Sequence, residues 1–554
     1  MGELIEGVRD NPLVYPPAPD DRRLLVHVGR PFVLLACGLA MVPVACAWAW
    51  YLAFGLPELS APAPAGPEGF PGWLRLAHFA NLLLMVFLVR SGLSILMDHP
   101  RLYWNDHCTP GSEWARFTPL AVPRDPAWTA KDDSRFLTPW LGLPGYRHTV
   151  GIARHWHFMA AFFWAVNGGV YVALLANSGH WRRLVPTDVA AVTEAAKVFV
   201  HYATFHLPAE PNGFAAYNPL QQLAYAGVVF GLAPLSILTG LAMSPAIDNW
   251  AGWYPRLFGG RQAARSFHFL LLCGYLTFLA THVTMVAVTG LQKNLNHITL
   301  GTDDDSPAGL WVFLAGVAVI AAACAAAHWV SWHRPRWVQV GFRRLLGPLQ
   351  RATLHRLPAR VQCERHHISP YFWTNGKQPS CPEWKSLGSL RRDGYRLKVS
   401  GLVAVPGEFS IAELERLGKR EQITLHHCIQ GWTGVAQWGG VTVRQLMDVV
   451  QPLPMARIVV FRSFGEGHYG GEFYDTLTIE NAGDPQTLLA WEMNDQPLPD
   501  RHGAPLRLRV ENQLGYKMVK WIKSIEFVSS DTTLGKGYGG KNEDDEYYPV
   551  VADI

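Results

Sequence analysis

Six apolar runs, at about 31–55, 74–97, 156–178, 220–243, 265–290 and 308–332, constrain this chain more than any other feature. Each is close to the roughly 20 residues that a helix needs to cross the hydrocarbon core of a bilayer. Each is bounded by polar, Pro-rich or Gly-rich sequence. They predict an all-α transmembrane bundle of six spans. The averages agree, with 49% hydrophobic residues, 17% charged and 22 Trp, but they conceal a division. Apolar blocks fill 31 to about 332, and mixed, charged sequence lies beyond, so two or more domains are expected in 554 residues. The net charge of +4 is too small to argue for a nucleic acid partner. The eight cysteines include no CxxC and no CxxCH, which supports neither a zinc site nor a covalently attached c-type haem. The opening MGELIEGVRDNPLVYPP reads as free of a signal peptide, and no twin-arginine export signal is evident.

Lysine and arginine set the expected orientation. Residues 1–30 hold Arg9, Arg22, Arg23 and Arg30. The loop after the second run holds Arg101, Arg116, Arg124, Lys131, Arg135, Arg147 and Arg154, and the loop after the fourth holds Arg256, Arg261 and Arg265. Arg334, Arg336, Arg343, Arg344 and Arg351 follow the sixth. The alternate loops are poorer: none in 56–72, Arg182, Arg183 and Lys197 in 179–219, and Lys293 in 291–307. Positive-inside bias therefore puts both termini in the cytoplasm, with Arg75 a mild exception.

The fifth run, within ARSFHFLLLCGYLTFLATHVTMVAVT (264–289), carries His268 and His282. Fourteen residues is close to four turns and about 21 Å of helix rise, so both imidazoles leave one face at different depths. Ionisable groups are costly in lipid and usually mark function. A lone histidine there is as readily a hydrogen-bonded packing residue, but two on one face suggest axial ligands for two stacked haems. Partners at matching depths decide the matter. The second run goes outside to inside and places His78 at its outer end. The third goes inside to outside and places His157 near its inner end. In the fifth, His268 is inner and His282 outer. The depths pair His78 with His282 and His157 with His268. His155 points to another face and reads as interfacial; His201, His206, His297 and His328 read as non-ligands.

RHWHFMAAFFWAVNGGVYV (154–172) and YNPLQQLAY (217–225) resemble motifs of the dihaem cytochrome b subunits of respiratory formate dehydrogenase, thiosulfate reductase and nickel-iron hydrogenase. The resemblance covers about 73–300, gives a four-helix dihaem core, and makes the first run an addition. It implies the same histidine pairing and a quinone pocket beside the His78/His282 haem, near Asn218 and Gln221. By their own chemistry those two residues equally serve to cap and orient the fourth helix. The added run turns the core over, so the quinone-side haem is expected outward and the other toward the cytoplasm.

From about 360 the sequence reads as an α+β domain. Strand-like runs occur at 396–403, 456–463, 505–511 and 519–528, with helical pieces SIAELERL and VTVRQLMDVV. Its outstanding stretch is ITLHHCIQGWTGVAQWGGV (423–441), where Cys428 could be a buried thiol, a nucleophile or a soft metal ligand. ISPYFWTNGKQP, HHCIQGWT, LLAWEMNDQPLP, HGAPLRLRV and GYKMVKWIKSIEF together resemble the sulfite oxidase family of molybdopterin enzymes, in particular the catalytic subunit of bacterial methionine-sulfoxide reductase. The resemblance implies that Cys428 is the thiolate ligand of molybdenum. It implies too that Ser369, Phe372, Trp373, Ser463, His502, Arg507, Met518, Val519 and Lys520 surround the pterin and its phosphate. Arg507 and Lys520 suit an anion physically. His502 stands where the reductase has Asn, Ser463 where it has Thr, and Gln430 where it has Glu. Residues 429–433 lack the arginines that follow the ligand Cys in sulfite oxidases, which weakens sulfite as substrate.

The expected layout is a cytoplasmic segment 1–30, a dihaem cytochrome b domain 31–335, a basic linker 336–360, a molybdopterin domain 361–535 and a mobile, acidic, Gly-rich tail 536–554. The expected function is a multi-pass oxidoreductase of the bacterial cytoplasmic membrane. It would exchange electrons between quinone and a small-molecule substrate through two b haems and molybdopterin, most simply as a quinol-dependent S-oxide or N-oxide reductase with its active site on the cytoplasmic side. The alternatives are a sulfite-type dehydrogenase feeding quinone, and a haem-bearing membrane anchor whose second domain only docks a partner.

Overall fold

The computed structural model describes residues 26–60, 66–118, 122, 128–145, 150–208, 212–353, 363–388, 393–550 and 552–554. Arg9, Arg22, Arg23, Arg124, Arg147 and linker residues 354–360 lie outside the described residues.

Among the described residues, six helices are long and apolar enough to cross a membrane: α1 Arg30–Phe54, α2 Gly72–Asp98, α3 Val150–Asn177, α4 Pro219–Ala242, α5 Arg261–Val288 and α6 Ala308–His333. A helix satisfies its own backbone groups, which is what lipid demands. Their outward side chains, Leu34 and Leu39 of α1 among them, stay exposed in the folded chain and form the surface offered to lipid. Helices α3 and α5 begin several residues before the apolar runs do. Their first turns, with Val150, Ile152 and His155 in α3 and Arg261, Gln262 and Ser266 in α5, are covered by protein. The hydropathy pattern ends where lipid ends, whereas the helix continues under its neighbours.

Helix α7, Pro335–Thr353, occupies most of what the sequence suggested was a linker. Val338, Gln339, Phe342 and Leu346 are buried along one face, and Arg343, Arg344 and Leu345 are exposed on another. Phe342 covers His155, with ring centres 4.5 Å apart, so His155 is buried under α7 and not interfacial. On the same end of the bundle the loop after α2 is pinned by buried ion pairs from Arg101 to Asp133 (2.6 Å) and Glu113 (2.7 Å).

The second domain contains strands β1 Leu397–Gly401, β2 Gly407–Phe409, β3 Arg420–His427, β4 Thr433–Thr442, β5 Ile458–Glu466, β6 Glu472–Thr478, β7 Leu488–Met493, β8 Gln496–Pro497, β9 Arg507–Arg509 and β10 Ile522–Val528. One sheet runs β8-β7-β4-β3 with β9 also on β7; the other runs β2-β1-β10-β5-β6. Only the β1–β10 pairing is parallel within these two sheets. Leu397, Val459, Phe461, Leu489, Leu508, Ile525 and Phe527 form the core. The four expected strand regions overlap β1, β5, β9 and β10, with β5 running on to Glu466. The longest pair, β3 and β4, did not stand out, because β4 is buried at nearly every residue and shows no alternation. Their register runs to His427 opposite Thr433, leaving Cys428–Trp432 as the hairpin loop.

Segment 536–554 is the clearest departure. Expected to be mobile, its described residues are folded, with Glu543, Asp544, Glu546, Tyr547, Tyr548, Ala552 and Ile554 buried. Tyrosines and aliphatics supply apolar contact despite the acidic composition, and Lys517 offsets the acid at Glu543.

Gly440 of β4 lies opposite Ala490 of β7, where an added methyl would overlap the Leu489 carbonyl oxygen. Gly440→Ala should destabilise this domain by about 1–3 kcal/mol, as overpacking does. Thermal unfolding followed by tryptophan fluorescence reads it; an unchanged transition would contradict the register.

Candidate functional site

The structure brings the four expected ligand histidines of the bundle together as two pairs. The rings of His78 (α2) and His282 (α5) are 6.5 Å apart between centres, and those of His157 (α3) and His268 (α5) are 6.4 Å apart. Metal–imidazole bonds of about 2 Å on both sides of one iron place ring centres about 6.3 Å apart. Each spacing therefore fits a bis-histidine haem iron. Hydrogen bonds also set the tautomers at the His157/His268 pair. Ser91 Oγ donates to Phe87 O (2.6 Å) and so accepts from His157 Nδ1 (3.1 Å). Thr239 Oγ1 donates to Leu235 O (2.8 Å) and accepts from His268 Nδ1 (2.9 Å). Both Nε2 atoms are left with the lone pair a metal needs. Gly92 makes room as well, since a Cβ there would sit 3.2 Å from His157 Cε1.

Asn218 and Gln221 form a capping box at the start of α4: Gln221 N donates to Asn218 Oδ1 (2.9 Å) and Asn218 N to Gln221 Oε1 (3.0 Å). Asn218 Nδ2 donates to Tyr202 OH (3.2 Å). Among the other histidines, His201 contacts Pro57 O, His206 pairs with Tyr51, His297 binds Asp303, and His328 packs on Trp332.

Cys428 lies at the tip of the β3–β4 hairpin, 3% exposed. Burial pushes its thiol up to about 12. Asn375 Nδ2 donates to its sulfur at 3.2 Å, a contact that favours the thiolate. No cluster of His, Cys, Asp and Glu suited to a metal is present among the described residues. A single soft donor suits a metal whose remaining ligands come with an organic cofactor.

The resemblance-derived residues divide by what they touch. Phe372 packs between Trp432, Trp438 and His502, with ring centres 5.6 to 5.8 Å away. Trp373 is buried and donates to Cys108 O at 2.6 Å. Ser369 Oγ accepts from Val435 N (2.9 Å), and Ser463 Oγ donates to Lys520 O (2.6 Å), so both brace backbone. Val519 is a core residue, and Met518 is buried beside it.

Arg507 and Lys520 form the charged part. Gly503, at φ 118°, lies between their Cβ atoms, which would be 3.1 and 3.0 Å from a Cβ of its own. Arg507 bonds His502 O (2.8 Å), and Lys520 bonds Arg501 O (3.0 Å). Two residues along, Arg509 has its own bidentate carboxylate, Glu511, at 2.9 Å. Arg507 and Lys520 form no ion pair among the described residues, and Arg507 Nε has no hydrogen-bond partner. Burial, with Arg507 and Arg501 nearby, holds the Lys520 ammonium well below its ordinary range. Arg507, unneutralised and buried, fits an anionic group such as the pterin phosphate, and an anion there would favour the charged form of Lys520. Asn375 and Arg501 were not singled out in the sequence, although the first lies inside the quoted FWTNG and the second precedes His502. Ser91 and Thr239 carry no sequence signal, because only folding brings them to the histidines.

The Cys428 hairpin rests on the membrane domain. Gln262 Nε2 donates to Gly431 O (2.8 Å) and Thr433 Oγ1 (3.1 Å), and Arg261 Nη1 donates to Gly431 O (3.2 Å). Gln430 Nε2 donates to Asp98 O (3.2 Å). Both helix ends belong to the side of the bundle holding His157 and His268.

Residues 69–301 match the family described as prokaryotic cytochrome b561, and residues 385–534 match the oxidoreductase molybdopterin binding domain. The chain thus joins a membrane-spanning haem b domain to a molybdopterin-binding domain of sulfite oxidase type. A protein from Azospira oryzae, named as a candidate protein-methionine-sulfoxide reductase subunit YedZ1, is 33% identical over 24% of this chain and 50% of its own length. The protein-methionine-sulfoxide reductase catalytic subunit MsrP of Xanthomonas campestris pv. campestris is 32% identical over 28% of this chain and 51% of its own. MsrP of Ralstonia nicotianae is 28% identical over 31% and 55%. The chain spans about half the length of the curated relatives it matches.

Arg507→Gln should lower the molybdenum and pterin content of the purified chain about tenfold or more, as loss of a supporting contact does at metal sites. Metal analysis and pterin fluorescence read this, with haem absorbance unchanged. Full retention of both would remove Arg507 from the cradle.

Proposed function

We propose that this chain is a membrane-bound molybdopterin oxidoreductase that exchanges electrons between quinone and a small oxo-acceptor through two b haems. We propose further that it works as a quinol-dependent reductase of S-oxides or N-oxides. The observation that carries the reading is the seating of the Cys428 hairpin on the end of the very helix, α5, that contributes to both histidine pairs. The reductase names of the relatives support the S-oxide class. The burial of Cys428, in a loop whose Gln430 and Gly431 are held by Asp98, Arg261 and Gln262, favours a small molecule over a protein substrate. When bound, molybdopterin supplies oxo transfer and the haems supply one-electron steps.

The chain's own residues do the rest. Asn375 holds a charged Cys428 sulfur in one orientation, and Arg501, Arg507 and Lys520 supply cations for the phosphate. Ser91 and Thr239 fix the Nδ1–H tautomer at the inner pair. Quinone is assigned to the opposite, His78/His282 end, near the start of α4. The domain at Cys428 is assigned to the cytoplasm, since the loops on its side carry the Lys/Arg excess.

Three measurements test this. Quinol-driven reduction of dimethyl sulfoxide or trimethylamine N-oxide should exceed substrate-driven quinone reduction; the reverse ratio would make the chain a dehydrogenase. His157→Ala should remove one low-spin haem from the spectrum and leave the other, and loss of neither would refute the pairing. A reporter fused after Ile554 should be active as a cytoplasmic reporter and silent as alkaline phosphatase; the opposite result would overturn the sidedness.

A further inference from the structure

Two parts of the chain outside both matched regions meet each other: α7, and the segment 536–554. Arg336 of α7 is the centre of the contact. Its guanidinium lies 3.9 Å from the ring centre of Tyr538 and 4.7 Å from that of Tyr547. It donates to Glu543 O (2.8 Å) and to Asp544 O, and it is braced by Gln339 Oε1 at 2.6 Å. Gln339 Nε2 in turn donates to Tyr548 O (2.7 Å). Tyr547 packs with Ile152 of α3 and Val338 of α7. Gly151 has no room for a side chain against the Tyr547 and Glu546 carbonyls.

The other side of the same segment is bound to the molybdopterin domain. Glu543 pairs with Lys517, which also pairs with Asp475, and Tyr474 OH donates to Asp544 Oδ2 at 2.8 Å. Leu514 N donates to Ala552 O (3.0 Å), and Ile554 N to Asn512 O (3.1 Å). Tyr548, Ala552 and Ile554 share an apolar cluster with Val150 of α3 and with Ile429, the residue after Cys428. The segment therefore joins three things: α7, the start of α3, and the loop that carries the thiol.

We propose that segment 536–554 is a clasp that holds the Cys428 loop in fixed register over the His157/His268 pair, with Arg336 as its positioning residue. The proposal rests on the electron route of the proposed function. Interfaces between domains of one chain permit relative motion unless they are large and apolar. The polar seam at Gly431 is small, and the clasp adds the apolar cluster, a buried ion pair and a guanidinium held between two rings. Electron delivery depends on the distance held between the domains, whereas direct reduction at the molybdopterin domain does not.

The test uses the full chain with Arg336→Ala combined with Gln339→Ala, and separately Arg336→Lys. Quinol-driven reduction of dimethyl sulfoxide should fall by about tenfold to a hundredfold, the scale of loss from misplacement at a distance. Reduction driven by methyl viologen, molybdenum content, haem spectra and haem reduction by quinol should all hold at wild-type levels. Arg336→Lys should recover part of the quinol-driven rate. Amide exchange at 428–433 and 538–548 should rise in the double variant. Unchanged exchange, or unchanged quinol-driven turnover, would overturn the clasp. So would parallel loss of viologen-driven activity and molybdenum, which would make the segment only a folding element of its domain. Wild-type protein inactive with both donors would instead refute the functional reading, and the exchange measurement would still decide the clasp.

Discussion

An α-helix cannot be stretched at ordinary energies, and α5 uses that rigidity to space the whole molecule. Its first turn binds the Cys428 hairpin through Arg261 and Gln262. His268 follows about 9 Å along the axis, and His282 about 21 Å beyond it. Lipid leaves the backbone no alternative pairing, so the spacing is fixed once the helix is inserted. The other elements adjust to it: α3 meets it at His157, α2 at His78, and the second domain at Gly431. Shifting any of these by one helical turn would misalign a pair.

The parts of the molecule legible in sequence are those where one solvent acts along a whole element. The six spans announce themselves because lipid contacts most of their length, and His268 and His282 are conspicuous for the same reason. From orientation alone, His78 falls opposite His282 and His157 opposite His268, the partners that the structure brings within 6.5 Å. Legibility fails where the environment changes along an element. The buried first turn of α5 carries Arg261 and Gln262, that of α3 is cut off from its apolar run by Arg154 and His155, and β4 loses its alternation because both faces are covered. Segment 536–554 reads as a solvated acidic tail, since its partners, buried Lys517 and half-buried Arg336, lie 26 and 208 residues away from its Glu543 and Asp544.

Charge on β9 shows how two arginines of one strand can differ in their surroundings. Arg507 and Arg509 leave the same strand on the same side and flank Trp438 at 4.6 and 4.5 Å. Glu511 neutralises Arg509, which can then serve as structure. Arg507 is buried without such a partner, a costly arrangement in the domain alone, because desolvation of a charge is repaid only by a close counter-charge. The strand thus holds one compensated arginine and one with no ion pair among the described residues. Sequence shows both as identical alternating cations, and only the position of Glu511 separates them.

The same distinction bears on orientation. Many basic residues in the loops on the Cys428 side are taken up by folding: Arg101 by Asp133 and Glu113, Arg265 by the carbonyls of His99 and Arg101, and Arg336 by segment 536–554. Insertion acts earlier, on loops that have not yet found these partners, and it responds to Lys and Arg more than to net charge. One set of cations can therefore bias the spans on entry and later fasten the second domain to them. Arg343, Arg344 and Arg351 of α7 remain exposed after folding. They lie directly after α6, where a basic stretch most resists translocation, and there the insertion signal persists in the finished structure.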